Sequence, residues 1–404
     1  MDMKITKKGK EELFWKLNHT IMKKLNTIIL LHILLFVGCH RASVDKEDNQ
    51  DIEIHISPYV RNAQTNPELK ILKKWESFLH KNLYYEWDSE DLVCSMKMPY
   101  PMMPLQEVIN KDVLVHHYLN ILGIYPIDSN LYCIKNSLIT QNADTIYPAY
   151  QFSVFAKLEY KNIRFMSNPQ IVKTKWQHKK VGNIDYYYDW NDNLNMKDAV
   201  YFDSFNDELA AKFGLEPIEF DYFQCKFSRN VFDVQGYDLH PAKYFSDQSG
   251  GMADTYNHII YSGNGKAIYT HELVHLYSRQ RWKNSHIWFD EGLATYLGGS
   301  RELPFEWHLT ELNSFAKAYP DYQLSDIDTL QYFKNDSFDL QFKYNIGVLI
   351  INEIIEKHGF EYLDNVMGQG KETKDFYRIL EKSLDVKKED MDEWVRKKVG
   401  LFKE

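Results

Sequence analysis

The chain has 404 residues, with 48 Lys and Arg against 57 Asp and Glu, for a formal net charge of −9. At about 150 residues per domain the length predicts two or three domains, and 44% hydrophobic with 26% charged residues excludes wholesale disorder. The acidic balance argues against a nucleic-acid partner, which needs a basic footprint; four cysteines are too few for a disulfide scaffold.

The first predicted element is a signal segment. The apolar run Ile28–Gly38, broken only by His32, is shorter than the about 20 residues that span a bilayer. Lys23 and Lys24 precede it and Gly38-Cys39 ends it, the layout of a secretory signal. Phe36-Val37-Gly38-Cys39 resembles a bacterial lipobox, which implies diacylation of Cys39 and a membrane contact through that lipid. Met22-Lys23-Lys24 suits a start site, so residues 1–21 are expected to be an upstream extension. Residues 40–66 are polar and mostly acidic, an expected tether. Within them Lys46-Glu47-Asp48 resembles the acidic export signal of Gram-negative lipoproteins, which implies an outer-membrane lipoprotein facing the periplasm or the cell surface. Cys94, Cys133 and Cys225 leave one thiol over in any pairing, and no essential disulfide is expected.

Residues 67–165 read as a small accessory α+β module. Leu69, Leu72, Trp75, Phe78 and Leu79 fall at helical spacing. Strands are expected at 131–139, 145–158 and 163–166. One helix feeding long strands predicts a curved sheet, similar to the cone-shaped nuclear-transport-factor-2-like folds.

From 166 to 404 a small sheet precedes a helical C-terminal half, so the predicted fold class of the whole chain is α+β. Strands are expected at 184–188, 216–227 and 258–262, with a helix at 204–213 stopped by Gly214 as a left-handed C-cap. Further helices are expected at 266–279, 291–298, 307–318, 342–357, 371–383 and 388–399.

The first of these carries His271-Glu272-Leu273-Val274-His275. Residues four apart on a helix share one face, so both imidazoles can hold one zinc ion while Glu272 reaches its water. The alternative is two core histidines bonded to carbonyls. A catalytic zinc takes three protein ligands and keeps an open position, so a third ligand is expected downstream. Ser278 and Arg281 stand where a metzincin would have Gly and His.

The chain continues instead into Trp288-Phe289-Asp290-Glu291-Gly292-Leu293-Ala294-Thr295-Tyr296. This stretch resembles the Trp-Leu-Asn-Glu-Gly-Phe-Ala-Ser/Thr-Tyr signature of gluzincin metallopeptidases, such as the aminopeptidase-N and peptidase-MA-like families. The resemblance implies Glu291 as third ligand, with Asp290 the runner-up as in aspzincins. The gap between His275 and Glu291 is shorter than in aminopeptidase-N-like enzymes and fits the peptidase-MA-like branch better. The resemblance is specific over 258–299.

The chemistry implied is peptide-bond hydrolysis with Glu272 as general base and acid. Thr295 is a candidate to hold a ligand by hydrogen bond, and strand 258–262 a candidate edge for a peptide substrate. Gluzincins often supply an oxyanion donor from a later helix; Tyr344 is the candidate, because Gly347 would let that helix approach closely, with Tyr296 and His308 behind it. Aminopeptidase-N-like enzymes carry Gly-x-Met-Glu-Asn before the zinc helix, whose Glu holds the substrate's amine. Gly250-Gly251-Met252-Ala253-Asp254 has Ala253 at that place, which favours an endopeptidase unless Asp254 substitutes. The expectation is a zinc peptidase acting on a peptide or protein. A silent peptide- or glycan-binding lipoprotein on the same scaffold is the alternative.

Overall fold

The computed structural model describes residues 53–62, 66–82, 116–142, 145–160, 162–240, 250–330 and 332–402. The signal segment with Cys39, residues 40–52 of the expected tether, and Cys94 lie outside the described residues. Within the described residues, no helix is long and apolar enough to cross a membrane. The architecture is α+β.

The first sheet has strands β1 (Glu53–Ile56), β2 (His116–Pro126), β3 (Leu131–Asn142), β4 (Thr145–Glu159) and β5 (Asn162–Met166) in that order. A later strand, β9 (Tyr237–Leu239), also pairs with β4. β1 lies parallel to β2; the other neighbours are antiparallel. The last part of the expected tether is therefore structured. Residues 53–62 form β1 and helix α1 (Pro58–Asn62), because Ile54 and Ile56 pack against the first core and Val60 is buried in it. Strand β2 adds to the expected strands; a register shift between Ile121 and Gly123 breaks its alternation.

Helix α2 (Asn66–Asn82) buries Leu72, Trp75, Phe78 and Leu79 against this sheet, while Leu69 stays exposed. The Trp75 indole donates to Asn136 Oδ1 at 2.9 Å, which satisfies its one polar atom inside the core. Phe232 and Tyr237 complete the same core from far along the chain. Cys133 and Cys225 are buried free thiols.

The second sheet runs β10 (Met252–Asp254), β11 (Ile259–Ser262), β8 (Phe220–Gln224), β7 (Ile184–Tyr188), β6 (Gln177–Val181). The inner pairs are parallel and both edge strands antiparallel. Strand β11 is thus an interior strand, paired on both sides, and offers no edge to a substrate; the described residues leave that place to β10.

Helix α3 (Asn168–Lys175) leads into this sheet and α5 (Ser228–Gln235) leads to β9. Helix α4 (Met196–Phe213) starts earlier than expected, because the Asn195 side chain caps it by accepting from the N–H groups of Lys197 and Asp198. It ends at Gly214 in the left-handed conformation, φ 64°, as expected.

The C-terminal half consists of α6 (Thr270–Arg281), α7 (Ile287–Gly298), α8 (Phe305–Ala318), α9 (Phe342–His358), α10 (Thr373–Leu384) and α11 (Met391–Val399), with a hairpin β12 (Tyr332–Lys334) and β13 (Asp339–Gln341) before α9. Residues 266–269, expected in the zinc-motif helix, precede it: Asn264 accepts from the Lys266 N–H and holds a turn there. Helices α7 and α9 pack closely, with Gly292 and Gly347 at the contact.

Candidate metal centre

Helix α6 presents His271 and His275 one turn apart, and the start of α7 brings Glu291 to them. The two Nε2 atoms are 3.3 Å apart. Glu291 Oε2 lies 3.1 Å from His271 Nε2 and 3.5 Å from His275 Nε2. A tetrahedral zinc with bonds of about 2.0–2.1 Å places its ligand atoms about 3.3–3.4 Å apart. The observed separations bracket that edge length, so these residues fit a zinc ion. Among the described residues, this His-His-Glu group is the cluster with metal-ligand spacing.

Each of these three side chains is held from behind. His271 Nδ1 lies 2.7 Å from the Gly299 carbonyl. A carbonyl only accepts, so Nδ1 carries the proton and Nε2 keeps its lone pair for a metal. Gly299 leads into a two-residue turn in which Ser300 and Leu303 bond each other's backbones at 2.9 Å in both directions. The turn's central residues, Arg301 and Glu302, are both left-handed, with φ 53° and 63°.

His275 Nδ1 lies 3.3 Å from Asp290 Oδ2. Burial works against a charged His275, but Asp290 and then Glu291 outweigh it and raise the group to about 10. Asp290 is fully buried; it accepts from Ser278 Oγ at 2.8 Å and from Arg279 Nε at 2.9 Å. Burial opposes its charge, yet Arg279 and His275 hold the carboxyl well below the usual range. The runner-up ligand thus points at the far nitrogen of a histidine and not into the triad. Glu291 Oε1 accepts from Lys343 Nζ at 2.7 Å. Burial opposes this charge too, but Lys343 and the two histidines hold it well below the carboxylate range.

Glu272 is 7% exposed and makes no hydrogen bond or ion pair among the described residues. Its neighbours in the electrostatics include Tyr269 and Tyr344. Tyr344 stands edge-on to His271, with ring centroids 5.5 Å apart and planes at 84°. Burial first, and Glu291 next, raise its phenol to about 12, so it keeps its proton at neutral pH and can donate.

Other candidates are placed elsewhere. Thr295 Oγ donates to the backbone carbonyl of Glu291 at 2.8 Å, one turn back along the helix, and does not touch the carboxylate. Tyr296 packs on Phe305 with ring centroids 5.0 Å apart. His308 Nε2 meets the Ser300 carbonyl at 3.1 Å. Asp254 is a turn residue: its Oδ1 accepts from the N–H groups of Tyr256 and Asn257 at 3.1 Å, and its Oδ2 from Asn257 Nδ2 at 2.7 Å. Sequence reasoning missed Lys343 and Arg279. Lys343 is separated from Glu291 by 52 positions, and no local pattern marks it.

No protein-family model matches the sequence, and no curated protein matches it. Among solved structures, the chain is similar to an M1 zinc metallopeptidase mutant from Deinococcus radiodurans at 9% identity and a TM-score of 0.29, over 72% of this chain and 63% of that one. The mutant bound to a Tyr-Ser-Ala substrate gives 9% identity and a TM-score of 0.32, over 70% and 63%. A two-domain M1 zinc metallopeptidase mutant bound to L-tryptophan gives 9% and 0.29, over 71% and 62%. The chain thus spans less than two thirds of the length of these structures.

Proposed function

We propose that the chain is a zinc-dependent peptidase of gluzincin type, carried on a membrane-anchored lipoprotein. The observation that carries the reading is the near-tetrahedral spacing of His271 Nε2, His275 Nε2 and Glu291 Oε2 beside a buried Glu272 that has no partner among the described residues. Anchoring rests on the lipobox-like Phe36-Val37-Gly38-Cys39 alone; Cys39→Ser should release unacylated protein from the membrane fraction, and unchanged fractionation would overturn that part.

Zinc, when bound, lowers the pKa of its water to about 7 and polarises a carbonyl. Glu272 takes a proton from the attacking water and delivers it to the departing amine. Tyr344, protonated at neutral pH, donates to the oxygen on which charge develops. Strand β10 gives a peptide a main-chain ladder to extend, since among the described residues it is the outermost strand of its sheet on that side.

We favour cleavage within chains over removal of N-terminal residues. Ala253 on β10 offers no carboxylate to a free amine, and Asp254 is committed to its turn.

The test is zinc content and cleavage of a mixed peptide library by the full chain, wild type beside Glu272→Gln. One zinc per chain in both, with cleavage only in the wild type, is the expected result; Glu272→Gln should lose about 10²–10⁴ in rate. Zinc in both with no cleavage in either would favour a peptide- or glycan-binding lipoprotein. No zinc in either would make the histidines structural.

A further inference from the structure

Two of the three backing contacts are of ordinary kinds: a backbone carbonyl on His271 and a carboxylate on His275. The third differs. Lys343, at the start of α9, donates to Glu291 Oε1 at 2.7 Å, and both side chains are largely removed from solvent, at 21% and 9% exposed. A carboxylate ligates a metal through one oxygen or through both. Here one oxygen is occupied by an ammonium group, and the other faces the two imidazoles. A buried cation needs an opposite charge close by, so the pair also gives Lys343 a reason to stay in place.

We infer that Lys343 is a positioning residue that restricts Glu291 to single-oxygen ligation, keeping the fourth metal position open for the reacting groups. The inference rests on the zinc-site reading above. With Lys343 gone, Glu291 Oε1 loses its anchor and can swing toward the metal, crowding the position that a catalytic site must leave free. The ammonium is a compact point charge on a flexible stem that bonds Glu291 Oε1 and lies 4.9 Å from the centre of the Tyr344 ring. A guanidinium in its place reaches the same oxygen from a bulkier, flat group.

The test uses the full chain as wild type, Lys343→Met and Lys343→Arg, with zinc affinity measured by chelator competition and the cobalt(II)-loaded protein examined by visible absorption. Lys343→Met should weaken zinc binding by about 10–100-fold, and its cobalt band should lose intensity as the site moves from four-coordinate toward higher coordination. Lys343→Arg should keep the wild-type spectrum and recover most of the affinity. Zinc affinity within about threefold of wild type, far short of the usual loss on removing a ligand's partner, together with an unchanged cobalt spectrum in Lys343→Met, would overturn the inference. If that variant does not fold, Lys343→Gln, which keeps a donor without the charge, reads the same two quantities. A wild type that takes up no zinc overturns both readings. Zinc-binding wild type beside an equal Lys343→Met overturns this one alone.

Discussion

Gly292 and Gly347 touch backbone to backbone: a Cβ on Gly292 would fall 2.4 Å from the Gly347 carbonyl carbon, and one on Gly347 would fall 2.5 Å from the Trp288 carbonyl oxygen. Gly292 follows Glu291 directly, and Gly347 lies one turn beyond Lys343 and Tyr344. The helix contact therefore sets how far the lysine and the phenol stand from His271, His275 and Glu291.

Gly347→Ala should force α7 and α9 apart. Overpacking of this kind costs about 1–3 kcal/mol, and zinc affinity should fall with it because Lys343 moves with α9. Thermal unfolding and chelator competition on the same preparation check both; a variant as stable as wild type would show that the crossing tolerates a methyl group.

Tyr344→Phe removes the proposed oxyanion donor and leaves the ligands untouched. Turnover should drop by about 10²–10³, the usual loss for one such donor, with zinc content unchanged and little effect on KM. Activity within a few-fold of wild type would assign the phenol to packing.

Asp254 gives a pH prediction. Burial pushes its carboxyl up to about 6, against three hydrogen bonds that pull it down. A group raised in the folded state contributes stability below its unfolded pKa, near 3.8, and that contribution is lost as pH rises through about 6. Asp254→Asn keeps the turn's acceptor without the charge. Its stability relative to wild type should rise by on the order of 2 kcal/mol between about pH 4 and pH 7, read from urea unfolding at both. A constant difference would mean Asp254 titrates normally.

The Arg301-Glu302 turn has two consecutive left-handed residues where Asn-Gly is the favoured pair. Each such residue costs about 1–2 kcal/mol. Glu302→Gly relieves one and loses the half-exposed pair with Lys266, which is worth about 0–1 kcal/mol. The urea midpoint should move up by roughly 1 kcal/mol of stability at constant slope. A lower midpoint would show the ion pair to be the stronger term.

Range along the chain decides how much of the molecule is legible in its sequence. His271 and His275 are related by one helical turn, a local rule, and Gly214 ends its helix by a local rule too. Glu291 came from resemblance to a signature, and its carboxylate lies 3.1 and 3.5 Å from the two histidine nitrogens. Thr295 stood at the right helical offset, but its hydroxyl took the nearer backbone carbonyl, as β-hydroxyl residues in helices do. Lys343, Arg279 and the Gly299 carbonyl required knowing which helices cross, and pairing of β11 with both β10 and β8 made it an interior strand. Helix starts missed by a few residues wherever a side-chain cap, such as Asn195, set the boundary.

Strand β9 belongs by sequence to the second half of the chain and by pairing to the first sheet, where Tyr237 and Phe232 sit in the core with Trp75 and Leu79. The two halves are therefore stitched, not merely abutted. Evolution cannot swap the N-terminal unit as a cassette without leaving Tyr237 and Phe232 stranded at the surface. A protease nick between the halves would likewise leave two fragments that hold together.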